Sequence, residues 1–398
     1  MSDAPAPSPK SPLQFARFDR HELAGSLGDL GTFLPLLVGM SAQNGLDFGA
    51  ALFFAGLFNV VTGLTFGIPM AVQPMKAIAA VALTEGLTTP QILAAGITVS
   101  AIVLVLGLLG LVRVLDRVVP RSVVRGLQLA LGLSLLTKGL QMSAGSPASW
   151  TWDGVYAAIA AALVVLGLAR SRTVPAALVL FAGGIAIALM RDPAFAREVQ
   201  LGLTLPKWSP PAWGDFVSAF PRAALPQIPL TTLNSVIAVC ALSGSLFPDR
   251  PADSRKVAIS VGLMNLVAGW FGGMPMCHGA GGLAGQYRFG ARTNGSILFL
   301  GAAKMILAVL FGASLMGLCR AFPASVLGVM LAFSGLELAL VFRDQTRRRD
   351  AFAGVLTAGA CLAFNNVAAG FAIGLACAGL QSLLPGAREA DAEPKPGA

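Results

Sequence analysis

Lys76 stands inside an apolar run, "FGIPMAVQPMKAIAAV" (66–81), two residues after Pro74 and three after Gln73. A cation in the first turn of a helix opposes the macrodipole, and burial strips its hydration, so it needs an anion close by. A second stretch, "GGMPMCHGAGGLAGQYRFG" (272–290), sets Cys277 and His278 just before Gly279, Ala280, Gly281 and Gly282. Glycines leave the backbone open to close approach, and the amides at a helix start bind anions. A third, "LPQIPLTTLNSVIAV" (225–239), concentrates Gln227, Thr231, Thr232, Asn234 and Ser235 among apolar neighbours. A fourth, "SLGDLGTFLPLL" (26–37), offers Asp29 and Thr32, and Thr32 corresponds to Thr232 at an offset of 200. Hydroxyls and amides are neutral donors suited to the oxygens of an oxyanion. These residue types point to non-covalent capture of a small oxyanion.

Each residue also has a plainer reading. Lys76 could pair internally with Asp29 or Glu85, or snorkel to an interface. Ser and Thr in membrane bundles commonly bond between helices. His278, one of only two histidines, fits a structural hydrogen bond, a donor to substrate, or a proton carrier titrating near neutrality. Lys138, Lys304 and Glu337 are suspects by their position within or near apolar spans. Asp29, His278 and Glu337 are the candidates for coupling. Enzyme chemistry finds no support: there is no zincin motif, no pair of catalytic carboxylates, and no Ser/His/Asp set credible at a common depth. The five cysteines form no CxxC pair, so neither a disulfide framework nor a zinc site is indicated, and no metal or cofactor is expected.

The elements that must position these residues are set by composition. Apolar residues fill 55% of 398 positions, charged residues only 12%, and the mean hydropathy is +0.74. An ordinary soluble domain carries about 25% charge; this is an all-α polytopic membrane protein. The net charge of +9 is scattered through short loops rather than gathered in one patch, so it reflects membrane topology and not nucleic acid. Runs of ~20 apolar residues, enough to cross a ~30 Å core, fall near 23–40, 50–67, 68–85, 91–112, 120–141, 154–169 and 174–190. Seven more fall near 226–245, 256–272, 274–290, 295–317, 323–342, 351–364 and 367–384. The first twenty residues have no apolar signal-peptide core and read as a disordered tail. With the N-terminus inside, most Lys and Arg fall in inside loops, Arg320 being the exception in the short outside ones. Fourteen spans with both ends in the cytoplasm, in a cell membrane, are self-consistent.

The halves resemble each other. "GLFNVVTGLTFGIPM" (56–70) over "GLMNLVAGWFGGMPM" (262–276) gives eight identities in fifteen positions at an offset of 206, including Asn59/Asn265 and Pro69/Pro275. "VPRSVV" (119–124) over "FPASVL" (322–327) repeats the relation at 203. Seven is odd, so the second copy enters from the opposite face, an inverted repeat. The expected organisation is a tail (1–20), a first repeat (21–190), an external connection (191–225), a second repeat (226–384) and a cytoplasmic tail (385–398). Spans 3 and 10 should be discontinuous. Extended residues 68–73 rise roughly 20 Å at ~3.3 Å each, and a helix over 74–85 adds roughly 18 Å at 1.5 Å each. Irregular backbone cannot face lipid, so both spans must be buried in protein or line a cavity. Two helix N-termini then point at each other from opposite sides of the midplane, with their free amides toward the centre.

"GIPMAVQPMKAIAAVA" (67–82), "GGMPMCHGAGGLAGQYRFGART" (272–293) and "ELAGSLGDLGTFLPL" (22–36) resemble the signature motifs and first span of the molybdate transporter family, a branch related to the SulP sulfate permeases. The resemblance covers essentially the whole chain. It implies the seven-plus-seven fold shared with uracil permease, with spans 1–4 and 8–11 as a core, spans 5–7 and 12–14 as a gate, and substrate between spans 3 and 10. Proton-coupled relatives of this fold often carry a carboxylate in span 8, and span 8 here has none. Many SulP permeases end in a cytoplasmic STAS domain; this chain stops about fourteen residues after Leu384 and none is expected. The implied substrate is molybdate, with tungstate or sulfate next. An anion channel is the alternative of another class. Expected partners are the oxyanion, the lipid bilayer and, as an option, a second copy in a homodimer.

Overall fold

The computed structural model describes residues 16–144, 153–171, 174–191 and 201–383. Apart from 16–20, both expected tails lie outside them. α1 (Arg20–Asn44), α2 (Phe48–Phe66), α4 (Thr89–Leu108), α5 (Arg121–Ala144) and α8 (Trp213–Leu246) are each long and apolar enough to cross a membrane, as are Gly295–Gly312 and Ala324–Asp344. Among the described residues these make seven such helices. α6 (Val155–Leu168), α7 (Ala176–Arg191) and α14 (Val367–Leu383) are shorter apolar helices. Also present are α3 (Lys76–Glu85), α9 (Ser254–Ala268), α10 (Ala280–Arg288), α11 (Gly295–Ala321), α12 (Ala324–Leu340) and α13 (Arg348–Ala363), with a short unnumbered helix over Val112–Val118.

The two Pro-bearing stretches become short strands, β1 (Val72–Pro74) and β2 (Met276–His278), each leading into a short helix, α3 and α10. The strands pair antiparallel with Gln73 opposite Cys277, and all six of their residues are buried. Pairing is the way extended backbone satisfies its N–H and C=O groups away from water. Two repeated asparagines complete it. Asn59 Oδ1 accepts from Val72 N at 2.9 Å; Asn265 Oδ1 accepts from Met276 N and its Nδ2 donates to Met276 O, both at 2.6 Å. The residues that exposed the duplication in sequence thus do the same job in each half, bracing a strand from the preceding helix. Because the strands are antiparallel, α3 and α10 leave the pair in opposite directions.

Six of the helix contacts are related by a two-fold exchange. α2 packs on α11 and α4 on α9; α5 packs on α13 and α12 on α6; α1 packs on α7 and α8 on α14. Exchanging each helix for the one seven places away turns every contact of these pairs into its mate. The pairs α5 with α12 and β1 with β2 map onto themselves. Small residues allow the closest approaches. A Cβ on Gly132 would meet the Gly335 carbonyl, and one on Gly335 would meet that of Gly132; Gly139 and Gly328 stand in the same relation one heptad away along each helix. Gly56 and Gly301 do so between α2 and α11.

Candidate anion site

The two half-helices begin from opposite ends of the strand pair. Pro74 closes β1 without needing to donate, and Met75 N donates across to Pro275 O at 2.9 Å. Against these starts lies a cavity of about 20 Å³. Gln73, Pro74, Lys76, Gln227, Asn234, Ser235, Cys277 and Gly279 line it, so eight of the residues singled out by sequence meet around one space. Gln128, Leu131 and Leu338 form the opposing wall.

Lys76 is the charge of the site. Its side chain reaches across to α10, where a Cβ on Gly281 would lie 3.9 Å from Nζ. It makes no ion pair among the described residues. Glu85 pairs instead with Arg222, Nε to Oε2 2.9 Å, and Arg222 also donates to the Glu85 carbonyl at 3.2 Å, capping the C-terminus of α3. Asp29 accepts a hydrogen bond from Gln73 Nε2. Glu85 is thus engaged by Arg222, and Asp29 turns one oxygen to Gln73, while neither carboxylate forms an ion pair with Lys76 among the described residues. An ammonium beside a helix N-terminus adds positive charge to positive dipole, an arrangement that an anion relieves.

The α3 amides do not stay free as expected. Gln227 Oε1 accepts from Ala77 N at 2.8 Å and Ile78 N at 3.3 Å. The start of α10 has no side-chain cap, and by position its first amides, at Ala280 and Gly281, have no acceptor within the helix. Gly279 Cα faces Gln73 so closely that a Cβ would sit on the Gln73 side-chain oxygen, and Gly282 crowds the same carboxamide. Ser235 Oγ donates to Cys277 Sγ at 3.1 Å.

Other sequence candidates fall outside the cavity. Thr232 Oγ1 donates back to Ile228 O at 2.8 Å and Pro229 O at 3.2 Å, the usual back-bond of a helical hydroxyl to carbonyls three and four residues earlier. Thr231 Oγ1 accepts from Gln227 Nε2 at 2.9 Å, so it orients the cap rather than facing the space. His278 points the other way: its Nε2 lies 2.9 Å from Ser260 Oγ and its ring stands edge-on to Phe66. This follows from strand alternation, since Cys277 faces the cavity and its neighbour must face away. Asp29 lies behind Gln73. Ala280 packs against the apolar core.

Thr32, Gly281 and Glu337 line a second, larger cavity of about 570 Å³. Gly28, Gly31 and Arg288 form its core wall, with Leu168, Leu180 and Met330 opposite. It touches the first cavity at Lys76 and Leu338, which line both. Sequence reasoning missed Gln128, whose Oε1 accepts from Arg125 Nη1 at 2.8 Å, leaving its amide nitrogen as donor. A glutamine in an apolar span is the same signal that marked Lys138.

A family model described as "Molybdate transporter of MFS superfamily" matches residues 21–135 and 219–338. The chain belongs to the molybdate transporter family. "Molybdate transporter 2" of Arabidopsis thaliana is 40% identical over 397 residues, covering 89% of this chain and 85% of that protein. "Molybdate transporter 1" of Chlamydomonas reinhardtii is 36% identical, covering 91% of each. Both matched segments of the family model contain one strand-plus-half-helix unit. In fold, the chain is similar to the transmembrane domain of a cyanobacterial bicarbonate transporter, BicA. The TM-score is 0.64 at 17% identity, over 91% of this chain and 98% of that one. The chain is thus a multi-pass membrane protein of an anion-transporting family with the SulP-like fold.

Proposed function

We propose that this protein moves molybdate across the cell membrane by alternating access, holding the oxyanion between the starts of α3 and α10. The observation that carries this reading is Lys76, which forms no ion pair with a carboxylate among the described residues and lies against the uncapped N-terminus of α10. Gln128, Gln227, Asn234 and Ser235 supply neutral polar groups around it. Family membership supports the choice of molybdate. A space of about 20 Å³ holds roughly one water-sized group, so a four-oxygen anion requires α5 and α12 to move off the core. The larger cavity supports such movement. It separates core helices from α6, α7 and α12 and runs out past Ala169, Ser171, Arg288 and Val341, toward the Arg-rich face read as cytoplasmic. Fourteen crossings in two inverted repeats, with both termini cytoplasmic, complete the proposal.

Radiolabelled molybdate uptake into proteoliposomes, with sulfate and tungstate as competitors, tests it. Saturable molybdate uptake with weak competition by sulfate is the expected result. Preferential sulfate uptake would reassign the substrate, and single-channel currents would replace the transporter by a channel.

A further inference from the structure

Behind the cavity, three buried polar atoms have no hydrogen-bond partner among the described residues: Asp29 Oδ2, Gln73 Oε1 and Lys304 Nζ. Their residues are 1%, 2% and 4% exposed. Lys304 lies over the Phe33 ring, 3.6 Å from its centroid, within electrostatic reach of Asp29. Gln73 is the link to the cavity. Its Nε2 donates to Asp29 Oδ1, it lines the anion cavity, and its unpartnered Oε1 is turned to Gly279 at the start of α10. One carboxamide therefore spans from a buried carboxylate to the place where oxyanion oxygens would meet helix amides.

Resting on the oxyanion reading above and deepening it, we propose that Asp29 is a proton site coupled to the anion through reversal of the Gln73 carboxamide. An ionised Asp29 can only accept. It fixes Gln73 with NH₂ toward Asp29 and the carbonyl oxygen toward Gly279, presenting an acceptor to an incoming oxyanion. A protonated Asp29 donates its O–H to Gln73 Oε1. The carboxamide then turns half a revolution about its Cγ–Cδ bond, and Nε2–H faces Gly279 and the cavity as a donor. The only covalent change is an O–H bond formed on Asp29 by a proton from water. Proton and anion each strengthen the binding of the other by the same factor. The charges facing Asp29 are Lys304 from α11 and Lys76 from α3; α10 meets this turn of α1 through glycine, Gly285 on Gly28. Lys304, 3.6 Å above the Phe33 ring, is thus the cation placed to attract the Asp29 carboxylate.

The test is molybdate binding to the purified chain in detergent from about pH 5 to about pH 8, with proton uptake on anion addition followed by a pH dye in weak buffer. Wild type is expected to take up protons with the anion, and its Kd to rise with pH toward about tenfold per unit. Asp29→Asn, whose amide can donate to Gln73 Oε1 at any pH, should bind with a flat profile and take up no proton. Gln73→Leu should bind more weakly and lose the pH slope. A wild-type slope in either folded variant overturns the proposal. Should Asp29→Asn fail to fold, Lys304→Met reads the same link: removing the facing cation should carry tight binding to higher pH, and an unmoved profile overturns the idea. The substrate reading fails separately. Wild type that binds sulfate but not molybdate, with the slope and variant effects intact, would overturn molybdate and support the relay. Molybdate binding that is flat with pH in wild type overturns the relay alone, and failure to bind any oxyanion overturns both.

Discussion

Gln227 Oε1 accepts the amide hydrogen of Ala77 at 2.8 Å, so a side chain of the second repeat caps a half-helix of the first. The same oxygen reaches Ile78 N, and Thr231 holds the carboxamide in place from one turn further along α8. Loss of a cap costs about 0.5–2 kcal/mol. Gln227→Leu should lower thermal stability in detergent by that amount, Thr231→Val by less, and Thr232→Val least, since Thr232 bonds only its own helix. Melting curves of the three variants check the order; Thr232→Val as the most damaging would contradict this division of roles.

Lys76 supplies a full charge to the cavity, and a charge-assisted hydrogen bond contributes roughly 1.5–3 kcal/mol. Lys76→Gln should therefore weaken molybdate binding about ten- to a hundredfold, while Lys76→Arg, which keeps charge but changes shape, falls between. Since no carboxylate among the described residues pairs with Lys76, neither change should lower the melting temperature much. Calorimetric titration alongside thermal melting reads both. A Lys76→Gln protein that is badly destabilised yet binds normally would return Lys76 to a structural role.

Asp153 caps α12 from the α5–α6 connection: Oδ1 accepts from Ser325 N at 2.9 Å, Oδ2 from Ala324 N at 3.1 Å, and Arg191 lies 3.2 Å away. Burial pushes its carboxyl up, but the Ser325 and Ala324 amides and Arg191 outweigh this and hold it below the ordinary range. A depressed folded value means stability that is full above the unfolded value of about 3.9 and lost as pH falls through the folded one. Asp153→Asn should thus lower stability at neutral pH and narrow its gap from wild type below about pH 4. Acid-dependent melting of both proteins provides the comparison; a constant gap would show that the charge of Asp153 is irrelevant.

Orientation makes a separate forecast. Residues 113–121 and 343–350 should face the cytoplasm and the loop near 41–49 the outside, on the distribution of Lys and Arg. A cysteine introduced at Gly45 should react with an impermeant maleimide added to whole cells, and one at Arg347 only after permeabilisation. The reverse pattern would invert the molecule and place the large cavity on the outer side.

Much of the architecture was legible because membrane burial acts on composition and period. Hydrocarbon admits few charges, so spans and breaks showed as runs, and Asn59 and Asn265 stood out as polar residues that hydrocarbon would not keep without a backbone to serve. The broken spans were legible because Pro69 and Pro74 lack the N–H that a helix interior needs, close to other polar residues in an apolar run. Which polar side chain faced the cavity was not legible. Thr231 and Thr232 are adjacent and chemically alike, yet one orients Gln227 and the other bonds back to its own helix, because the wide turn in α8 sets where each hydroxyl points. The one-residue alternation of β2 sends Cys277 to the cavity and His278 away, and the strand itself exists only through its pairing with β1. Gln128 joins the site from α5, and Gln227 reaches α3 across 150 positions of chain. Sequence determined that a cation and helix starts lie buried among apolar spans, since solvation energy depends on residue type. Tertiary structure alone decided which amides are capped and which are left uncapped, since a hydrogen bond depends on the distance and direction that packing imposes on two groups far apart in sequence.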